Sequence, residues 1–354
     1  MGKNYGSGLD EVGHSIVVNT DESIVIVGSS GYFDGSVGHI FKFDKMGSFI
    51  WEYAHPNCNL FDLTIGLDGG YIAVGSYCID LMNYDSYLLK INDTGVYSWS
   101  KRFDFNTMES AHSICPFNNI GYMISGHAGG YNGQAYVIKS NSLGDTLWVG
   151  RYRKGQHDNH GYSVIPTSDN GYVVAGITSG VSSMDVLVFK INSIGDTLWV
   201  KNYGGDDFEI GYSIIESNND GYIVLGNTSS FGNGDVDIYM LKINKNGVII
   251  WQKTYGGLNS DNGYCIISCS DGGYIIAGET ESYGAGGRDA YILKINEAGD
   301  SLWAKTFGGT NDDGFNSVAI CRDGGFVLTG YTDSFGNNRD LYIVKTDANG
   351  NVYK

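Results

Sequence analysis

Short apolar stretches of four or five residues recur along the whole chain, each broken by glycine or by a polar pair. One type reads Gly211-Tyr212-Ser213-Ile214-Ile215, and another reads Tyr172-Val173-Val174-Ala175-Gly176. No segment holds the 3.6-residue apolar spacing of a helix, so the pattern predicts short strands throughout. Between the two types lies a two-residue turn, such as Gly69-Gly70, Asn170-Gly171, Asp220-Gly221, Gly272-Gly273 or Gly324-Gly325. Such turns need positive φ, which Gly, Asn and Asp tolerate. A third strand ends in Lys42, Lys90, Lys139, Lys190, Lys242, Lys294 and Lys345. An Asn-x-x-Gly turn then leads to a fourth strand that carries a tryptophan.

This four-strand unit occurs seven times. Its marker is Trp51, Trp99, Trp148, Trp199, Trp251 and Trp303, with Tyr353 in the seventh place. The spacing of about 50 residues is that of a propeller blade, as in WD40 and kelch repeats. The expected fold is therefore all-β: a single seven-bladed β-propeller domain over residues 1–354, built of four-stranded antiparallel blades. The six tryptophans are expected to be structural, wedged between neighbouring sheets, where one ring buries about 150–250 Å². The lysine row is expected to pack its stems and keep its heads near solvent or an acid. Ring closure follows from the termini. Lys3-Asn4-Tyr5-Gly6 is the second half of the pattern Trp199-Val-Lys201-Asn-Tyr203-Gly204, and Gly350-Asn-Val-Tyr353-Lys354 is the first half. The two ends should share the last blade, which removes exposed sheet edges.

The repeat Gly-Gly-Tyr-Ile … Lys-Ile-Asn … Gly … Trp … Lys-x-Tyr-Gly-Gly resembles that of secreted or surface-anchored bacterial and archaeal β-propellers. Its Gly-x-x-x-Trp turn is also similar to the Trp-docking turn of quinoprotein propellers and, more loosely, to the Asp-box of sialidases. The resemblance implies a propeller fold and an extracellular or cell-surface setting. It implies no quinone, because no matching cofactor residues occur. Clustered arginines of the sialidase kind are not evident either.

Composition narrows the partners. A net charge of −17 and a pI near 4.6 repel phosphate backbones and anionic membranes, so neither nucleic acid nor membrane insertion is expected. No apolar run approaches the roughly 20 residues that span a bilayer. The start carries no signal peptide. The expectation is a secreted or surface protein whose signal or anchor lies outside these residues, with a cytoplasmic protein as the alternative.

Candidate chemistry concentrates where the repeat is broken. On one face the loops that join strand b to strand c, and strand d to the next strand a, are longer and vary most, so function is expected there. The largest departure is the junction of blades 3 and 4, which reads Arg151-Tyr152-Arg153-Lys154-Gly155-Gln156-His157-Asp158-Asn159-His160. His127, at the end of strand b, and His112, at the start of strand a, should rise nearby, and Gln134 replaces an Asp found in five other copies. One reading is an anion or acidic-sugar site with Arg151, Arg153 and Lys154 as charge partners and His157, His160, His127 and His112 around them. A second makes His127, His157, Asp158 and His160 a metal or acid–base site. The third is a solvated loop that drifted in one repeat.

Carboxylates crowd the same loops. Asp206, Asp207, Asp312 and Asp313 are weak candidates for Ca²⁺, although no EF-hand pattern occurs and solvated acidic loops are the expectation. Asp85, Asp185, Asp237, Asp289 and Asp340 recur before strand c, where they are expected to fix loops through backbone hydrogen bonds. Loop aromatics Tyr32, Tyr77, Tyr131, Tyr283, Phe231 and Phe335 either stack on a ligand or pack their own loops. Of six cysteines, Cys58 and Cys78 should emerge on one face of one blade, and a disulfide between them is expected as one option.

No Gly-x-Ser-x-Gly elbow, phosphate loop or other specific catalytic motif is found. The leading expectation is a non-catalytic surface propeller without a cofactor, binding a glycan or a protein through loops on one face, or assembling with copies of itself. The rival is a hydrolase or lyase acting on polysaccharide at the blade 3–4 junction.

Overall fold

The computed structural model describes residues 2–6, 10–31, 35–80, 83–118, 120–130, 132–155, 157–180, 183–217 and 221–353. Tyr32, Tyr131, Gln156 and Asp220 lie outside the described residues. The protein is an all-β, seven-bladed propeller, and among the described residues there is no helix. Each blade is a four-stranded antiparallel sheet in the order a-b-c-d. Blade 1 is Glu11–Val18, Ile24–Ser30, Val37–Phe43 and Phe49–Pro56. Blade 2 is Cys58–Ile65, Tyr71–Asp80, Asn83–Ile91 and Tyr97–Phe103. Blade 3 is Glu109–Phe117, Gly121–Ala128, Gln134–Asn141 and Thr146–Tyr152. Blade 4 is Asn159–Pro166, Tyr172–Ser179, Met184–Ile191 and Thr197–Tyr203. Blade 5 is Glu209–Ser217, Gly221–Thr228, Asp237–Asn244 and Ile249–Tyr255. Blade 6 is Asp261–Ser268, Tyr274–Thr280, Asp289–Ile295 and Ser301–Phe307. Blade 7 is Asp313–Ile320, Phe326–Thr332 and Asp340–Thr346, completed by Gly2–Tyr5 as its strand d. That last strand pairs in the register Gly2↔Val344 to Tyr5↔Leu341, so the N-terminal half-motif does take the fourth place of blade 7.

Two compact units can be distinguished by contacts: Met1–Leu60 with Asn233–Ile238 and Tyr255–Lys354, and Phe61–Gly232 with Tyr239–Thr254. Each has its own apolar layers. In the second unit, Ile72, Val74, Leu88, Ile114, Tyr122 and Ile138 pack together, and a separate layer joins Val173, Val188, Ile214, Tyr222 and Tyr239. In the first, Ile16, Ile26, Phe43, Val327 and Leu341 form one layer, and Ile275, Ile292, Phe315 and Leu328 lie in another. Strands b and c are buried along almost their whole length, which explains why they read as continuous apolar runs rather than as an alternation.

The repeated residues hold neighbouring blades in register. Asn192 takes backbone N–H groups of Ile194 and Asp196 on its side-chain oxygen, which shapes the c–d turn and puts Gly195 at φ +93°. The face of Trp148, from the preceding blade, lies against Gly195, where a Cβ would come within 3.3 Å of the ring. At Gly144, against Trp99, a Cβ would come within 2.6 Å. Glycine thus supplies both the backbone conformation and the room for the indole. The tyrosine ending strand d then donates its hydroxyl to the same glycine's carbonyl: Tyr152 to Gly195 at 2.8 Å, Tyr203 to Gly247 at 2.7 Å, Tyr255 to Gly299 at 2.6 Å. Tyr5 makes the same bond to Gly47. The lysines of strand c turn to the acid of the a–b turn. Lys294 meets Asp271 at 2.8 Å, and Lys90 and Lys190 pair with Asp68 and Asp169. In blade 3 that turn has no acid, and the Lys139 ammonium sits 3.7 Å above the Phe117 ring instead.

Candidate functional site

Strand a carries an extra residue in each register that is resolved, a bulge that leaves one side chain out of the pairing. The bulged residues are His14, His112, Tyr162, Tyr212, Tyr264 and Asn316. In the second unit they form a contiguous arc. Phe61 lies 5.5 Å from His112, His112 meets Tyr162 edge to face at 5.0 Å, and Tyr162 stacks on Tyr212 at 5.8 Å. Two more imidazoles complete it. His127, near the end of strand b, stacks on His160, near the start of the next strand a, with ring centres 4.0 Å apart.

The polar atoms of this arc are only partly used. His112 Nε2 and His127 Nδ1 are 3.0 Å apart and share one proton-donating contact. His160 Nδ1 is 3.2 Å from the Tyr162 hydroxyl. Among the described residues, His112 Nδ1, His127 Nε2 and His160 Nε2 have no hydrogen-bond partner. All three rings are half-buried, so water reaches them although protein crowds them. Burial, reinforced by the neighbouring imidazoles, holds His112 well below the usual histidine range and His127 at about 3. Burial also lowers His160, against the pull of Asp158. At neutral pH the site is a set of uncharged rings, each offering one donor or acceptor.

The basic residues of the same junction do not join it. The Arg151 guanidinium lies 5.0 Å from the centre of the Phe105 ring, Lys154 donates to Asn202, and Arg153 is exposed with no hydrogen-bond or ion-pair partner among the described residues. His157 contributes its carbonyl to Asn159, and Asp158 holds the Gly133 N–H at 2.6 Å. The structure therefore gathers three of the histidines singled out in the sequence and leaves out the cations.

The acids fall into different settings. Asp206 and Asp207 are exposed, Asp312 accepts from the Arg288 N–H, and Asp313 is buried and takes the Gly309 N–H and the Ser334 hydroxyl. Among the described residues, the one group with three metal-binding atoms within 4.8 Å of one another is Asp85, Asp104 and Glu109. Of the five acids opening strand c, Asp237 and Asp289 each hold two loop N–H groups. Asp85 Oδ1 holds none. The Cys58–Cys78 bridge does not form. Cys58 is not on a loop but opens strand a of blade 2, fully buried in the place that an acid takes in most blades, and its thiol donates to the His55 carbonyl. Cys78 donates instead to the carbonyl of Asp80.

Two networks had no signal in the sequence. In blade 1, Ser30 Oγ is 2.7 Å from His39 Nε2, and His39 Nδ1 is 2.6 Å from Glu52 Oε1, beside a cleft of about 310 Å³. The order resembles an acyl-transfer relay, but Ser30 is only 1% exposed and does not line the cleft. It stands opposite Glu11, in the place where Thr228 and Thr280 bond the acids Glu209 and Asp261 and serve the packing of the blade. In blades 6 and 7, Glu279 accepts from Tyr264 at 3.0 Å and from Tyr331 at 2.8 Å. Arg288 approaches the same carboxylate, and Arg339 lies 4.0 Å from the Tyr331 ring centre.

No family model and no curated protein matches the chain. Solved structures do. The Pan2 WD40 domain of Neurospora crassa is 11% identical with a TM-score of 0.56, covering 96% of this chain and 91% of that one. A protein of unknown function from Dyadobacter fermentans is 11% identical with a TM-score of 0.56, covering 97% and 96%. The Dos1 propeller is 13% identical with a TM-score of 0.55, covering 96% and 83%. By fold the chain is a β-propeller, and at these identities the likeness extends to the fold alone.

Proposed function

We infer that this propeller is a non-catalytic binding module that takes a glycan on the arc formed by Phe61, His112, Tyr162, Tyr212, His127 and His160. The observation that carries this is three neutral imidazole nitrogens without protein partners, set among aromatic rings. Sugar rings present C–H faces that pack on aromatic rings, and hydroxyls that both donate and accept. Uncharged imidazoles match hydroxyls better than they match a carboxylate or phosphate. The ligand is accordingly a neutral glycan rather than an acidic one. The setting outside the cell or at its surface rests on the resemblance of the repeat.

The test is a glycan array and polysaccharide pull-down with the intact protein and a His127→Phe/His160→Phe variant, which keeps the stacked rings and removes their nitrogens. Affinity should fall at least about tenfold in that variant and stay unchanged in Arg151→Ala/Arg153→Ala. A protein that binds no glycan, or a variant that binds as well as the parent, sinks this reading.

A second reading, assembly with copies of itself, is favoured by one recurring feature. Strand d exposes large apolar residues in blade after blade: Phe49 and Ile50, Tyr97, Leu147, Leu198, Ile249 and Ile250, Leu302. Concentration-dependent mass by light scattering checks it, and a monomer at every concentration rules it out.

A further inference from the structure

Most blade junctions repeat one arrangement. An acid opening strand c of one blade and an acid opening strand a of the next flank an aromatic–glycine step in the loop that joins them. Between blades 4 and 5 these are Asp185 and Glu209, and the Gly205 N–H donates to Glu209 Oε2 at 2.7 Å. A Cβ on Gly204 would lie 2.2 Å from Asp185 Oδ1 and 2.6 Å from Glu209 Oε2. Between blades 5 and 6 a Cβ on Gly256 would lie 2.1 Å from Asp237 Oδ1 and 2.6 Å from Asp261 Oδ2. The backbone passes between two carboxylates, and glycine is the residue that fits.

Between blades 2 and 3 the acids are Asp85 and Glu109, and the glycine is replaced by Asp104. The equivalence follows from register, because Phe103 pairs with Ser86 as Tyr203 pairs with Val186. A third carboxylate thus stands where the other junctions with an acid pair carry glycine and leave no room for a methyl group. Oxygens of all three lie within 4.8 Å of one another. Asp85 and Glu109 are each 1% exposed, and Asp85 Oδ1 and Glu109 Oε2 have no hydrogen-bond partner. The remaining contacts are few. Arg102 Nε is 3.5 Å from Asp85 Oδ2, the Thr107 N–H and hydroxyl serve Glu109 Oε1, and the Asn106 N–H serves Asp104 Oδ1. The Phe105 amide also favours the charged form of Glu109. One guanidinium at long range does not balance three acids, two of them buried, and unpaired buried charge is costly.

We propose that Asp85, Asp104 and Glu109 bind a hard divalent cation, Ca²⁺, at the junction of blades 2 and 3. The donors are all carboxylate oxygens, which select hard cations over zinc or copper. Three carboxylates suit Ca²⁺, whereas Mg²⁺ is usually held by one or two and keeps most of its water. Asp104 is exposed and gives the ion a path from solvent. The role is structural, since the ion ties strand c of one blade to strand a of the next. It is independent of the glycan reading.

The experiment is calorimetric titration of the full chain with CaCl₂ and, separately, MgCl₂, with melting curves in each. One Ca²⁺ should bind per chain and raise the melting temperature. Asp104→Gly restores the residue used at the other junctions with an acid pair, so it should fold, and it should lose both the binding and the melting shift. Glu109→Gln should weaken binding about tenfold or more. Absence of Ca²⁺ binding by the parent at about 10 mM, tighter binding of Mg²⁺ than of Ca²⁺, or an Asp104→Gly variant that binds as the parent does would each overturn the proposal.

Discussion

The junctions on either side of blade 3 are built from the same strand positions and carry opposite chemistry. Before the blade stand Asp85, Asp104 and Glu109. After it the same places hold Gln134, Arg153 and Asn159. The backbone scheme is nevertheless kept, since the Lys154 N–H donates to Asn159 Oδ1 as the Gly205 N–H donates to Glu209. The middle position shows what decides the outcome. Two buried carboxylates leave room only for glycine, two amides tolerate an arginine that swings out to solvent, and a third carboxylate needs a counter-charge. A repeat fold can therefore change its ligand at one junction without altering the strands.

The sharpest way to break this comparison is to move the aspartate one site along. Gly204→Asp should destabilise the protein by about 2 kcal/mol or more, because its Cβ would meet an oxygen of half-buried Asp185 at 2.2 Å and one of buried Glu209 at 2.6 Å. Urea unfolding measures this. If the acid pair with an added aspartate is enough to make a cation site, Ca²⁺ should recover part of the loss. A variant as stable as the parent would show that the glycine is not required by the acid pair.

The two sides of blade 3 should also respond to pH with opposite sign. The folded values of His112, His127 and His160 lie below those of the unfolded chain, so the unfolded state binds more protons as pH falls below about 6.5. Stability from these groups is fully present above that pH and is lost on acidification toward about 3. Each imidazole contributes a slope of at most about 1.4 kcal/mol per pH unit, reduced by the water at its edges. Burial instead raises Asp85 and Glu109, so without a cation their strain is relieved as pH falls toward the carboxylate range. Melting curves from pH 7 to 5 should be flatter for His127→Phe/His160→Phe than for the parent. Equal slopes would mean that these rings take up protons alike in the folded and unfolded chain.

Much of the architecture was legible in the sequence because it repeats. Seven copies fix the strand order, and half-motifs at the ends fix the closing pair. The function-bearing details were less legible for a physical reason. Asp104 reads as one more loop acid until register places it in the glycine position between two others. Ser30, His39 and Glu52 are spread over three strands and carry no spacing signal. The basic run at 151–154 reads as a patch, yet Arg151 rests on a ring and Lys154 on an amide, and burial separates them from the imidazoles beside them. Charge along a chain does not say which side of a strand receives it.

Smaller effects sharpen the structural half of the comparison. Tyr203→Phe removes the hydroxyl that satisfies the Gly247 carbonyl and should cost about 1 kcal/mol. Tyr152→Phe should cost the same, because that lock is common to charged and neutral junctions alike. Unequal losses in urea unfolding would show that the blade 3–4 junction is mechanically distinct.

Arg153→Gly closes the set with the smallest expected change. It puts the repeat's own residue back into the neutral junction. Arg153 is exposed and unpaired among the described residues, and amides rather than acids flank its backbone. Removing it strips no contact, while glycine adds freedom to the unfolded chain, a loss of about 0.5 kcal/mol or less in stability. Glycan affinity should be unchanged, since the imidazole arc does not use this side chain. A large loss of affinity with stability intact would instead bring the cation back into the site and turn the ligand from a neutral glycan to an acidic one.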